Sequence, residues 1–314
     1  MTVRFGYLLP TREGVMEGRH EATPIIDLAV HAEACGLDSV WIGDSVTSKP
    51  RHDPLIMLAA IAGRTASIEM GTAVLLPLLR NPVLLAQQLA TLDQVAEGRF
   101  IAGIGIGADI PAGRAEFEAV GVPFEKRVGR LIEAVQLCKA LWSGEPVDWD
   151  GRWTLRGAEL GPIPYTPGGP PIWAAGDPPA ALKRCGKYFD GWFPSGPADQ
   201  RVWAERWNTV LDHARDAGRD PTELTAANYL TLSLDDDRRT ADDRLDRYIE
   251  AYYRQPPEVI RDRQGNFAGS KAAAIDWLRG FVDGGATHFA LRIMGDHRHN
   301  IETVAEIRSA LLAP

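Results

Sequence analysis

Cysteine is scarce in this chain: three in 314 residues, at positions 35, 138 and 185. Cys35, Cys138 and Cys185 are odd in number, far apart and each set in a helical pattern, so neither a disulfide framework nor a zinc site is expected. No apolar run approaches the roughly 18 residues that a membrane span needs. Arg4 and Gly6 break up the short apolar start, which argues against a secretory leader. Positive charge is in deficit, with 34 Lys and Arg against 42 Asp and Glu and a net charge of −8. No basic patch stands out, so a nucleic-acid partner is not expected. Low-complexity tracts are missing too, and the longest run of like charge is Asp235–Asp237. What remains is an enzyme-sized chain with 45% hydrophobic and 24% charged residues. A cytoplasmic setting with no membrane partner is the expectation.

The chain is organised around the stretch from Ile68 to Asp109. Ile68–Val74 and Arg99–Gly105 are short, apolar and β-branched, as strands buried on both faces of a parallel sheet must be. Between them, Val83–Val95 has helical apolar spacing, with Pro82 at a tolerated first-turn position and Glu97-Gly98 as the stop. This is a βαβ unit, whose crossover is right-handed by default. Strand patterns recur at Val3–Leu9, Ser39–Ile42, Pro171–Ala175, Gly191–Pro194, Leu224–Leu234 and His288–Ile293, with helical patterns between them. Eight strands alternating with helices predict a (β/α)8 TIM barrel, read as a single domain over residues 1–314. Two irregular pieces, about 144–171 and 255–269, read as insertions after the fourth and seventh barrel strands. The first carries a hairpin signal around Asp148–Leu155. A doubly wound sheet is the rival fold. Pro10-Thr11-Arg12-Glu13-Gly14 after the first strand is not its phosphate-binding fingerprint.

The segment GTAVLLPLLRNPVLLAQQLATLDQVAEGRFIAGIGIG resembles the luciferase-like superfamily of flavin- and deazaflavin-dependent oxidoreductases. The resemblance runs from Phe5-Gly6 to Ala290-Leu291. It implies a flat tricyclic cofactor at the C-terminal ends of the strands, either reduced FMN or coenzyme F420, and no metal. It also implies cofactor contacts at Asp44, Ala73, Val74, Gly105, Gly107, Ala174, Ala175, Gly176 and Asp177. By the same resemblance, Ala73-Val74 is a bulge with a cis peptide bond, and Ile172–Pro179 forms the phosphate end of the site. The helices around Leu55–Ala62 and Leu84–Leu89 would pair two subunits into a homodimer.

Departures from the family pattern bear on the chemistry. Relatives commonly carry histidine where this chain has Ser45, and Ala108 stands where a deazaflavin sugar-phosphate dehydrogenase has glutamate. Serine is no general acid near neutral pH. Ser45 and Asp109 are therefore the catalytic candidates. Leu9, Trp153, Trp173 and Arg127, with Tyr165, are the candidate substrate wall. His297, Arg298 and His299 follow the last strand without further ligands nearby, so a metal site is not expected. The reading that follows is a two-component monooxygenase using reduced FMN and oxygen on a small organic substrate, served by a separate reductase. The alternative is hydride transfer by coenzyme F420, and a second alternative is a non-catalytic flavin-binding barrel.

Overall fold

A computed structural model describes residues 3–313. Eleven strands occur in chain order: β1 Arg4–Leu8, β2 Ser39–Ile42, β3 Glu69–Thr72, β4 Phe100–Ile104, β5 Val147–Asp150, β6 Thr154–Ala158, β7 Ile172–Ala174, β8 Gly191–Trp192, β9 Thr225–Leu234, β10 Asn266–Gly269 and β11 His288–Ile293. Hydrogen bonding runs β9-β11-β1-β2-β3-β4-β7-β8 and closes back from β8 to β9, all in parallel. That is the (β/α)8 barrel. β5 and β6 form a separate antiparallel hairpin in the first irregular piece.

The second irregular piece is more ordered than its composition suggests. It holds a helix at Pro257–Arg263 and then β10, which pairs with the upper half of β9 from Asn266↔Thr231 to Gly269↔Leu234. β8 pairs only with the lower end of β9, at Thr225 and Ala226. β10 therefore extends the barrel wall upward where β8 stops. A second unexpected helix, Pro111–Ala119, follows β4. Its proline and glycine concealed it, and it proves central to the site.

Parallel strands alternate their side chains between the barrel interior and the helical shell. The interior cluster holds Leu8, Trp41, Ile101, Trp173, Phe193, Ala227 and Ala290. Trp41 lies 4.8 Å from Phe193 and 5.4 Å from Trp173, measured between ring centroids. Rings this large fit only because their neighbours have no side chains. A Cβ at Gly71 would sit 2.3 Å from the Trp41 ring, and one at Gly191 would sit 2.6 Å from Trp173. Leu9 falls on the other phase and packs in the outer core. Around the barrel, Asp53 and Asn81 cap helices Pro54–Ala62 and Pro82–Val95 through their carboxylate and amide oxygens. Ile56 and Leu84 on these two helices stay exposed, at 73% and 59%.

Beneath the aromatic plug, Ser39 Oγ bridges Trp41 Nε1 at 2.8 Å and His288 Nε2 at 2.7 Å. His288 is fully enclosed, and burial, aided by Arg4, pushes its pKa down to about 3. The native state thus holds His288 neutral where the unfolded chain, near 6.5, would protonate it. Its contribution is fully present above about 6.5 and is lost as pH falls from there toward about 3, with a slope of up to about 1.4 kcal/mol per pH unit. Urea unfolding between pH 7 and pH 4 should show this slope, and His288→Asn should flatten it. Equal slopes for the two proteins would exclude the assignment.

Candidate active site

A cavity of about 280 Å3 opens at the C-terminal ends of the strands, above the plug. Such a volume lies at the lower end for small-molecule sites. One side of its wall is nearly bare backbone: Ala73, Val74, Gly107, Ala108, Ala175 and Gly176. The Ala73–Val74 peptide bond is cis. Gly107 has φ +78°, and a Cβ there would meet the Phe117 ring at 2.8 Å, so a side chain has no room. A flat ring can approach this wall because nothing projects from it.

Several expected site residues line the cavity: Asp44, Ser45, Ala73, Val74, Gly107, Ala175, Gly176 and Asp177. Others do not, and the reason is mostly strand phase. Trp173 points into the barrel plug, and Ala174 points into the outer core. Leu9 also faces the shell, so none of the three borders the cavity. Gly105 stands behind Val74, where a Cβ would lie 2.8 Å from Val74 Cγ2. Asp109 is half exposed and held by Arg114, with Arg114 Nε donating at 2.7 Å, outside the cavity. Arg127 stacks its guanidinium 3.9 Å from the Phe124 ring centre, away from the cavity. Trp153 lines a separate crevice with Leu78, Leu79 and Arg130. Tyr165 is exposed. None of the residues expected to form the substrate wall borders the cavity; its apolar lining comes from Leu76, Ile110 and Phe193 instead.

The acidic groups on the wall are all taken. Asp44 accepts Arg80 Nη1 at 2.6 Å and the Leu76 N–H at 2.9 Å, which ties the end of β2 to the segment after β3. Asp177 pairs with Arg206, although burial raises its pKa and its Oδ1 has no partner among the described residues. Glu116, from the unexpected helix, is 3% exposed. Its Oε1 accepts four hydrogen bonds: Ser45 Oγ at 2.7 Å and the N–H groups of Val46, Thr47 and Ser48 at 2.6, 2.9 and 3.1 Å. Ser45 Oγ in turn accepts the Lys49 N–H at 2.8 Å. Ser45 thus lies on the cavity wall but is engaged as both donor and acceptor.

The loop folded onto Glu116 delivers Lys49 and Arg51 to the cavity, and neither was expected there. Facing them are Arg292 from β11, Tyr229 from β9, and Tyr252 and Tyr253 from the helix Arg238–Tyr253. Arg263 and Gln264 reach in from the second insertion, whereas no residue of the β5–β6 hairpin does. Burial and the guanidinium groups of Arg51, Arg12 and Arg292 push the Lys49 pKa down to about 8, with Glu116 opposing. The dense pair Tyr252-Tyr253 and the basic residues after β2 were visible signals. Their convergence was not.

The luciferase-like monooxygenase family profile matches residues 3–313, and the chain belongs to that family. Among similar curated proteins is an F420-dependent glucose-6-phosphate dehydrogenase of Nocardia farcinica, 32% identical over 225 residues. The match spans 69% of this chain and 66% of that protein, just under two thirds of its length. A protein of the same name from Kineococcus radiotolerans is 35% identical over 241 residues, spanning 73% of this chain and 69% of the relative. The fold also matches an F420-dependent secondary alcohol dehydrogenase over 100% of both chains, with TM-score 0.83 and 23% identity. A long-chain alkane monooxygenase matches with TM-score 0.80 and 15% identity, over 100% of this chain and 93% of the other.

Losing the Glu116 carboxylate would leave three N–H groups and a hydroxyl without their acceptor. Glu116→Ala should destabilise the protein by about 3 kcal/mol and speed amide exchange across residues 45–49, whereas Glu116→Gln, which keeps an acceptor oxygen, should lose less. A Glu116→Ala protein as stable as the parent, with that loop still protected, would refute the clamp.

Proposed function

We propose that this protein is a coenzyme F420-dependent oxidoreductase that transfers a hydride to or from a small polar substrate. The observation that carries this reading is the likeness to F420-dependent dehydrogenases over about 70% of the chain. The cavity accommodates it: Lys49, Arg51, Arg292 and three tyrosines line it beside apolar Leu76, Ile110 and Phe193. This reverses the lean toward FMN, which rested on Ser45 and Ala108 standing where the family pattern has histidine and glutamate, and on an acidic net charge. Net charge is a property of the whole surface and says little about a local field.

The residues present fit such a cofactor. Ala73, Val74, Gly107, Ala108, Ala175 and Gly176 would hold the flat ring, and the unpartnered Asp177 Oδ1 would accept a ligand N–H or O–H. When bound, F420 supplies hydride exchange with a substrate carbon, which by itself leaves a proton to be moved at the substrate oxygen. The chain's part is to orient the substrate, exclude water and handle that proton. Lys49 Nζ is suited to it, because its lowered pKa lies near the working pH. The Glu116 clamp sets the conformation of the loop that carries Lys49. Pairing of two copies through the exposed Ile56 and Leu84 face belongs to the same proposal.

Fluorescence titration of the purified protein with F420 and with FMN, followed by admission of oxygen to the reduced complexes, tests the cofactor. F420 should bind more tightly by about tenfold or more, without faster reoxidation in air. Tight FMN binding with oxygen-dependent turnover would restore the monooxygenase reading.

The proton role predicts a pH profile. In alcohol oxidation neutral Lys49 must take the proton, so kcat/KM should rise through about 8. The charges facing Nζ are Arg51, Arg12, Arg292 and Glu116, and its ammonium stacks 4.4 Å from the Tyr253 ring centre. Lys49→Met should remove that limb and lower the rate by roughly 10²–10⁴-fold. An unchanged limb in the variant would assign the proton to another group.

A further inference from the structure

The wall of the cavity is unbalanced in charge. Each of its carboxylates has a protein partner: Asp44 has Arg80, Asp177 has Arg206, and Glu116 has the 45–48 loop. Its cations lack a carboxylate at hydrogen-bond distance. Among the described residues no carboxylate lies within 4.0 Å of Lys49, Arg51 or Arg263, and Arg292 only reaches Glu13 Oε1 at 4.0 Å. Arg292 is 4% exposed, and its Nε has no hydrogen-bond partner. Burying uncompensated charge is costly, and proteins keep it where a ligand supplies the counter-charge.

The surroundings of these cations are built for them. Gly43 at the end of β2 has no side chain, and a Cβ there would lie 2.1 Å from Arg51 Nη1. The Arg51 Nε donates to the Lys49 carbonyl at 3.1 Å, which leaves its two Nη groups to face the cavity. Arg292 donates to the hydroxyls of Tyr252 at 3.0 Å and Tyr253 at 3.3 Å. Because those phenol oxygens accept from Arg292, their own hydrogens remain free to donate. Tyr229 OH is buried and has no hydrogen-bond partner among the described residues. Guanidinium, phenol and ammonium groups thus converge as donors, a set that an oxyanion matches in both charge and acceptor capacity.

Position in the barrel separates this set from the ring cradle. Arg292 lies near the end of β11 and Arg51 packs against Gly43 at the end of β2, on either side of β1, whereas the cradle follows β3, β4 and β7, its Ala73-Val74 part adjoining the β2 side. In a closed eight-stranded ring those are adjoining sectors of the mouth. We infer that Arg51 and Arg292, with the hydroxyls of Tyr229, Tyr252 and Tyr253, bind an oxyanion of the substrate, a carboxylate or a phosphate ester. The assignment rests on the reading of the cavity as an active site, and it names the substrate class: a small organic anion oriented by its charged end.

Calorimetric titration with inorganic phosphate and with acetate, at matched ionic strength in chloride, tests this with and without saturating F420. One of the two anions should bind saturably at one site per chain. The one that binds identifies the ester or the carboxylate. Arg51→Met should weaken it by about tenfold or more while the melting temperature rises or holds, since an unpaired buried charge is removed. Lys49→Met, at the edge of the same set, serves as a second folded variant and should weaken it less. Binding should persist when F420 is present. Saturation by neither anion, indifference to Arg51→Met, or displacement of the anion by F420 would overturn the assignment, the last by giving these cations to the cofactor tail. Because the titration without F420 needs no cofactor, failure of the F420 reading alone would leave its result interpretable.

Discussion

Closing eight parallel strands into a ring forces their inward side chains to fill a fixed volume, and the rest of the molecule follows from how that is done. Here three large rings, Trp41, Trp173 and Phe193, take the space, and glycines on neighbouring strands give it to them. The filled interior sets a floor. Above it the strands end in small residues, so the cavity has a solid base and a flat wall. Below it the Ser39–His288 pair satisfies the Trp41 N–H without water. The reactive end can then carry unbalanced charge because the closed barrel beneath it supplies stability independently.

The second constraint is local. Three successive N–H groups and a serine hydroxyl point at one carboxylate oxygen on Glu116, 68 to 71 residues away in sequence. That arrangement uses a β4-side helix to shape a β2-side loop, and Ser45 is part of it. A short hydroxyl can reach Glu116 and still accept from Lys49 N, so the position contributes loop geometry here rather than acid–base chemistry. Four residues along, the same loop carries Lys49, whose pKa burial and the neighbouring guanidinium groups lower to about 8.

Much of the fold was legible because barrel strands and helices announce themselves by local pattern. Ser39–Ile42 and His288–Ile293 match their expected bounds, and Asp53 caps the helix its dipeptide with Pro54 predicted. The family resemblance also located the Ala73–Val74 bulge and the small-residue wall. What failed depended on phase or on distance. Leu9 and Ala174 fall on the outward phase, while Trp173 points inward but lies in the plug below the cavity, and alternation inside a buried parallel strand leaves no trace in a run that is apolar on both faces. Asp109 was chosen by its nearness in sequence to the glycine motif, but Arg114 lies five residues on and captures it at the surface. Glu116, which does reach the cavity, sat in a segment whose proline and glycine masked a helix.

The cationic sector was illegible for a deeper reason. Arg12, the Lys49-Arg51 loop and Arg292 come from three separate stretches, and each alone reads as an ordinary solvated charge. Only closure of the ring brings β11, β1 and β2 side by side, and only then do the tyrosines of the Arg238–Tyr253 helix fall across them. Aromatic faces offset part of the cost of these charges, since Arg12 and Arg292 stack 4.6 and 4.3 Å from the Tyr252 ring centre. They do not cancel it, because a ring face attracts a cation less strongly than a carboxylate does at hydrogen-bond distance. The residual field is a standing preference for a negative ligand. It is focused by the low-dielectric walls of the cavity and survives inside a chain whose overall charge has the opposite sign.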